Sequence, residues 1–302
     1  MPSYRFCRPD DIPLLVHAVE TCYRVHDPGE PEWTADSFRR GMREIDLWPS
    51  NSMVALDTDG EPLAVMIGTK RPEEVAVHRL GVRPDHLRQG HGQHLLTSLS
   101  QKLAVLGPER LVAEVPDERK AALACFAAAG YTREATLVDW WRPFGVASEK
   151  AVPEGLVSDI AVADLEAAGL LAETPSTAWC RSRRSLVQSG DRLRGAAVVS
   201  PDRIEAWIVF DPPPAGEAEP PEESGLDRAP DPVPILAVGG ADPARLPLLF
   251  GVLVRWLAAR APGRGLLVPR LAPEELASEL LAAHGFSAGG ASARLAATAT
   301  PL

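Results

Sequence analysis

The chain has few cysteines, no surplus of positive charge and no long uninterrupted apolar run. Its four cysteines, Cys7, Cys22, Cys125 and Cys180, lie far apart and form no Cys-x-x-Cys pair. Neither a disulfide framework nor a zinc knuckle is therefore expected, and reduced thiols in a cytoplasm are. Lys and Arg number 31 against 41 Asp and Glu, a formal charge of −10. That balance argues against nucleic acid as a partner and leaves only a local basic group at Arg181, Arg183 and Arg184. The opening residues MPSYRFCRPDD hold no apolar core of a signal peptide. The longest apolar helical stretch, residues 246–261, is interrupted by Arg255 and is too short to span a bilayer. No membrane partner is expected.

What stands out is VRPDHLRQGHGQHLL, residues 82–96. Residues 75–82 before it are apolar and β-branched enough for a buried strand, and Leu95, Leu96, Leu99, Leu103 and Leu106 recur on one face of a helix after it. Gly90 and Gly92 stand at the mouth of that helix. In such a turn the first N–H groups of the helix have no partner in the helix, and its dipole adds partial positive charge, which suits a phosphate or pyrophosphate. A dinucleotide-binding G-x-G-x-x-G would require a third glycine at position 95, which is Leu95.

With 302 residues, 45% hydrophobic and 24% charged, the chain has the length and balance for two globular domains. Residues 4–8 read as a strand. Asp10 or Asp11 caps a helix on which Ile12, Leu15, Val16 and Val19 share a face, and Thr34 caps a second carrying Phe38, Met42 and Ile45. Residues 52–56 and 63–69 are strands joined at Asp59-Gly60, a hairpin signal. After the long helix come a strand at 111–115, a helix capped by Asp117 and stopped by Gly130, and closing strands at 131–134 and 137–141.

This order, with Val82-Arg83-Pro84 leading into Gly90-His91-Gly92, resembles the GNAT N-acetyltransferase superfamily. The acetyl-CoA motif of that family runs from a strand ending in Val-x-Pro into (Arg/Gln)-x-x-Gly-x-(Gly/Ala) and a long helix. The resemblance covers about the first 145 residues and implies an α/β fold with a mixed sheet (α+β). One departure is Leu87 at the position that opens the motif, with Arg88 and Gln89 directly after it. Because the family holds the pyrophosphate mainly by backbone amides, the departure implies weakened cofactor binding, not its loss. By the same resemblance the backbone of Leu80, Gly81 and Val82 lines the pantetheine and the reacting carbonyl, and the amides of Arg88, Gln89, Gly90, His91, Gly92 and Gln93 hold the pyrophosphate.

The tyrosine with which the family protonates the departing thiolate falls on Phe126, which has no proton to give. Three readings follow: the thiolate leaves unassisted or through water, Tyr131 or Cys125 substitutes, or the domain binds CoA without catalysis. The family's asparagine seven positions earlier is Arg119, which either hydrogen-bonds the cofactor or is solvated on its helix. For the base that takes the amine proton, His78 is the first candidate. It stands two residues before Leu80, so simple strand alternation puts both on one face, and imidazole titrates near neutrality. Glu114 in the next strand is the second. A structural histidine is the competing reading of His78. His86, His91 and His94 fall in the same region, but turn and surface positions account for them and no metal is expected. Tyr23, His26 and Trp33 stand where the family builds its acceptor wall, and of the adjacent Trp140 and Trp141 one faces a core and the other its opposite side.

A second pass through the same order begins near residue 156. Strands are expected at 157–160, 194–200, 203–210, 235–238 and 266–268, and helices at 164–172, 246–260 and 273–284. Residues 211–232, proline-rich and acidic, read as a disordered loop. Where the first half has Gly-His-Gly, the second has Asp242, Pro243 and Pro247; prolines remove amide donors and the aspartate opposes phosphate. The chain thus resembles two tandem GNAT-like domains, residues 1–146 with the acetyl-CoA motif and 153–302 as a degenerate copy. The implied activity is transfer of an acetyl group from acetyl-CoA, as cosubstrate, to a primary amine of a small molecule or peptide. The alternative is a non-catalytic acyl-CoA-binding or scaffold protein. A homodimer is compatible with either, and the acceptor has no signature in the sequence.

Overall fold

The computed structural model describes residues 2–145, 152–153, 155–213 and 231–301. Residues 214–230 of the expected acidic loop lie outside the described residues. In chain order the elements are β1 (Ser3–Phe6), α1 (Ile12–Cys22), α2 (Ala35–Glu44), β2 (Met53–Leu56), β3 (Pro62–Gly68), β4 (Glu74–Val82), α3 (His91–Leu106), β5 (Arg110–Pro116) and α4 (Lys120–Ala128). Then come β6 (Thr132–Arg142), β7 (Val157–Ile160), α5 (Val162–Ala167), α6 (Arg183–Gln188), β8 (Arg194–Val199), β9 (Ile204–Phe210), β10 (Val233–Gly240), α7 (Leu246–Arg260), β11 (Leu266–Leu271), α8 (Ser278–Ala283) and β12 (Ser287–Thr298).

Two compact units result, one of residues 1–135 with 292–302 and one of residues 136–291. They are therefore not the consecutive segments 1–146 and 153–302. The end of the chain returns to unit 1, where Ser292 to Thr298 pair antiparallel with Pro116 to Arg110. The expected pair of strands at 131–134 and 137–141 is instead the single strand β6, since Ala135 and Thr136 supply no turn residue.

In unit 1 the order is β1-β2-β3-β4-β5-β12, antiparallel except where β4 runs beside β5. Leu95, Leu96, Leu99 and Leu103 of α3 and Phe126 of α4 cover one sheet face against Val75, Val77, Leu111 and Ala113. Leu15 and Val19 of α1 and Phe38 of α2 cover the other against Val54, Val65 and Ile67. The helices start as their sequence dictates. Thr34 Oγ1 accepts from Ser37 N–H (3.0 Å) while Ser37 Oγ accepts from Thr34 N–H (2.8 Å), a reciprocal cap. Asp117 does not cap α4: its carboxylate pairs with Arg133, and Arg119 occupies the cap position.

In unit 2 the order is β6-β11-β10-β9-β8-β7, with β10 and β11 parallel. Helix α7 buries Leu249, Phe250, Leu253 and Leu257 against β9 to β11, and Trp140 packs on the same core while Trp141 is 36% exposed. The basic group expected near Arg181 does not form a patch, because Arg181 is buried and Arg183 is paired with Glu166. No helix among the described residues is long and apolar enough to cross a membrane.

Candidate functional site

The site begins where two parallel strands part. The β4–β5 ladder runs from Glu74–Arg110 to Val77–Ala113 and ends there. Beyond that point β4 continues to pair with β3 as far as Val82, and β5 with β12 as far as Pro116. Arg83 N–H donates to Leu63 O at 2.8 Å, on the β3 side. By strand alternation Gly81 addresses β3 as well, and Leu80 and Val82 turn their N–H and C=O to the edge that β5 has left. The Val82 carbonyl is met by His26 Nε2 at 2.7 Å.

A bulge lies at the parting point. Ile67 opposes Arg79 and Gly68 opposes Val77, so His78 is the extra residue of β4. This overturns the expectation that His78 and Leu80 share a face. Leu80 and Val82 pack toward α3 and α4, whereas the His78 ring lies 6.2 Å from that of Trp33, on the α1–α2 side. Arg79 goes to that side too, bound by both nitrogens to Glu30 at 3.0 Å and 5.4 Å from the Tyr23 ring. Sequence reasoning missed the Arg79–Glu30 pair, since nothing local links positions 49 apart.

At the mouth of the gap the turn into α3 is as expected. Gly90 caps the helix at φ +85°, and the first helical bond is His94 N–H to Gly90 O, 2.9 Å. The amides of His91, Gly92 and Gln93 therefore have no acceptor within the helix. Arg88 holds φ +60°, a conformation that residues with a Cβ adopt rarely and that clusters at functional turns. A Cβ on Gly92 would meet Cys125 Sγ at 3.1 Å, so this glycine allows α3 to approach α4. The side chains of the turn are otherwise engaged. Gln93 Nε2 reaches Ala128 O, Gln89 Nε2 reaches Asp85 O, and Leu87 is exposed. His91, 5% exposed, shares a 2.6 Å hydrogen bond between Nδ1 and Tyr4 Oη, and its Nε2 is buried without a partner. Burial, then the charges of His86 and His94, lower its pKa. His94 packs on Tyr4 at 4.0 Å and His86 Nε2 lies 2.8 Å from Arg83. Among the described residues no three His, Cys, Asp or Glu side chains are grouped to hold a metal.

Glu114 lies on β5 directly opposite Arg294, whose Nη1 is 3.5 Å from its carboxylate; both side chains are under a tenth exposed. Arg294 also approaches Glu74 at 3.7 Å. Phe126 is 3% exposed and meets Tyr131 edge-on at 5.0 Å, deep in the α3–α4 core. The Tyr131 hydroxyl is buried without a partner, and burial raises its pKa well above the usual range, as it raises that of Cys125. Arg119 is partly exposed and already engaged: Nη2 pairs with Asp27 at 2.5 Å and Nη1 reaches the Tyr23 hydroxyl at 3.4 Å.

Unit 2 repeats the parting strands and the bulge, with different contents. Its β10–β11 ladder ends at Pro234–Leu267, and the pairing of β10 with β9 shifts between Ile235 and Ala237. The Ile235 carbonyl in that gap accepts from Arg181 Nη1 at 3.1 Å, and Glu275 holds the other side of the guanidinium. At the start of α7, Asp242 accepts from Ala244 N–H through Oδ1 (2.9 Å) and from Arg245 and Leu246 N–H through its carbonyl. Ala244, Arg245 and Leu246 thus donate their amide N–H groups to Asp242, and Pro247 has none to offer.

Residues 17–131 match the acetyltransferase (GNAT) family. No curated protein matches the chain. Among solved structures, a tandem GNAT protein from the clavulanic acid biosynthesis pathway superposes with TM-score 0.65 at 15% identity, over 100% of both chains. A GCN5-related N-acetyltransferase from Sphaerobacter thermophilus gives 0.64 at 16%, over 99% of this chain and 96% of the other. A GCN5-related glucosamine N-acetyltransferase region of a fungal multi-domain GH3 beta-N-acetylglucosaminidase gives 0.68 at 15%, over 98% of this chain and 38% of that one. At these identities the likeness is one of fold. The match to the acetyltransferase (GNAT) family, a family of acyl-transfer enzymes, thus covers residues 17–131, and over its whole length the chain shares the fold of a tandem GNAT protein.

Proposed function

We propose that unit 1 transfers an acetyl group from acetyl-CoA to a primary amine by direct attack on the thioester. The observation that carries this reading is the parting of β4 and β5 immediately after Val77–Ala113, with the Leu80 N–H turned into the gap and a turn of unpaired amides at its mouth. A pyrophosphate at residues 88–93 and pantetheine along Leu80 to Val82 would bring the thioester carbonyl to the Leu80 amide, which stabilises charge as it develops on oxygen. Proximity of amine and thioester supplies much of the rate. We assign removal of the amine proton to His78, whose ring lies beside Trp33 on the α1–α2 face. Glu114 is less suited, because its carboxylate is engaged with Arg294. The described cysteines form no disulfide, which supports a cytoplasmic setting.

Phe126 in the core favours a second reading, a protein that binds acyl-CoA without turning it over. Calorimetric titration of acetyl-CoA into the wild type and Gly90→Pro, followed by an amine screen for CoA release, separates the two. Binding by the wild type alone, with CoA release on an amine, supports the enzyme; binding without release supports the second reading; no binding by the wild type sinks both. Proline is chosen because its φ near −65° is incompatible with the +85° of Gly90.

A further inference from the structure

The reading above leaves the departing thiolate without a proton donor: position 126 is Phe, and the Tyr131 hydroxyl is sealed in the α3–α4 core. Among the described residues, Tyr23 carries a further hydroxyl beside these strands. Tyr23 is the residue that closes α1, and its Cα lies over Gly81 of β4, only 2.8 Å from where a Cβ on that glycine would stand. Its hydroxyl is 3.4 Å from Nη1 of Arg119, the cap residue of α4 beyond β5. The phenol thus starts over β4, and its hydroxyl meets the guanidinium that Arg119 sends from the start of α4, after β5, so the two side chains together bridge from β4 to the β5–α4 side next to the opening that follows Val77–Ala113. Guanidinium carbons stand at 5.4 Å (Arg79) and 5.5 Å (Arg119) from the ring. Asp27, the carboxylate at 3.5 Å from the hydroxyl, has its charge met by Arg119.

We infer that Tyr23 is the catalytic acid of unit 1, donating its phenolic proton to the CoA sulfur as the carbon–sulfur bond breaks. The inference rests on the acetyltransferase reading. The amine nitrogen forms the C–N bond, and the C–S electron pair stays on sulfur. The Tyr23 proton passes to that sulfur, giving the CoA thiol. The phenolate left behind is stabilised by the two guanidinium groups and is reprotonated with the proton the amine sheds. Burial is the largest influence on the Tyr23 pKa and raises it, so the residue holds its proton at neutral pH, as an acid must; Arg79 and Arg119 act in the opposite sense and favour the phenolate.

The test is Tyr23→Phe, with hydroxylamine as a small amine nucleophile that needs no acceptor pocket and CoA release followed as thiol. The expected result is an acetyl-CoA affinity within about twofold of wild type, a kcat lower by about 10²-fold with KM unchanged, and loss of the solvent deuterium isotope effect on kcat. An unchanged kcat overturns the proposal. So does an affinity that falls in step with the rate, which would make Tyr23 a packing residue. Tyr23→Leu is the control for packing: if it alone loses rate while Tyr23→Phe keeps it, the proposal falls. A wild type that does not bind acetyl-CoA, or binds it and releases no CoA, overturns the parent reading and the proposal with it. Those outcomes are separate from a defect confined to Tyr23→Phe.

Discussion

Arg181 Nη1 donates to the Ile235 carbonyl at 3.1 Å, in the gap between β10 and β11. Its side chain is 3% exposed and that of Glu275, its ion-pair partner, 14%. A guanidinium therefore occupies in unit 2 the counterpart of the gap that in unit 1 follows the end of the β4–β5 ladder. One acetyl-CoA per chain is the stoichiometry this predicts by calorimetry. Arg181→Ala should not create a second site, because Asp242 still takes the Leu246 amide and Pro247, the next residue of α7, has none to offer. It should lower stability by about 3 kcal/mol, the usual cost of leaving the partner of a buried pair unmatched. Urea denaturation reads that loss, and a stoichiometry of two in the wild type would refute the assignment.

The turn at Gly90 was legible because its determinants are local: an amphipathic helix, two glycines and a preceding apolar strand within some twenty residues. The Thr34 cap and the Asp59-Gly60 turn, with Gly60 at φ +89°, were legible for the same reason. The face of His78 was not, since alternation holds only without a bulge, and the bulge is fixed by pairing with β3. Strand β12 was missed because Ser-Ala-Gly-Gly-Ala-Ser has little strand propensity of its own; its pairing with β5 makes it a strand. The roles of Arg119 and Tyr23 depend on partners about a hundred positions apart.

Gly81 is required by packing. A Cβ there would come within 2.4 Å of Cys22 O and 2.8 Å of Tyr23 Cα, both backbone atoms of the end of α1. Gly81→Ala must push α1 off the sheet and should cost about 2 kcal/mol, seen as a lower melting temperature. Gly90→Ala is the contrast: a Cβ there meets nothing within 4 Å, and the strain of its positive φ is the only penalty. Equal melting losses for the two would contradict this account.

His91 gives the fold a dependence on pH of defined sign. Burial lowers its pKa in the folded state below the unfolded value, so the unfolded chain binds the proton more readily. The contribution is intact above the unfolded pKa of about 6.5 and is lost as pH falls from there through the folded value. The groups facing His91 are Tyr4 of β1 and the His86 and His94 rings, and charge on either histidine adds to the effect. His91→Gln removes the titration at this position. The expected result is that the loss of unfolding free energy between pH 7.5 and 5.5 is smaller in the variant than in the wild type. Parallel losses would assign the dependence to other groups.

His78 and Glu114 follow Val77 and Ala113, the last paired residues of β4 and β5, and alternation from that pair carries both to the α1–α2 side of the sheet. Their surroundings separate them. His78 stands beside Trp33, and Glu114 is opposite the buried Arg294. If His78 takes the amine proton, His78→Ala lowers kcat by about 10²-fold or more and leaves acetyl-CoA affinity intact, since the cofactor is held by backbone amides that the substitution does not touch. The acid limb of the kcat–pH profile should disappear with it. Glu114→Gln, in contrast, leaves the buried Arg294 with Glu74 as its remaining carboxylate at 3.7 Å and should act first on stability, measured by urea denaturation, with kcat changed little in the folded enzyme. Retention of the acid limb in His78→Ala, together with its loss in Glu114→Gln, would transfer the base from the histidine to the carboxylate.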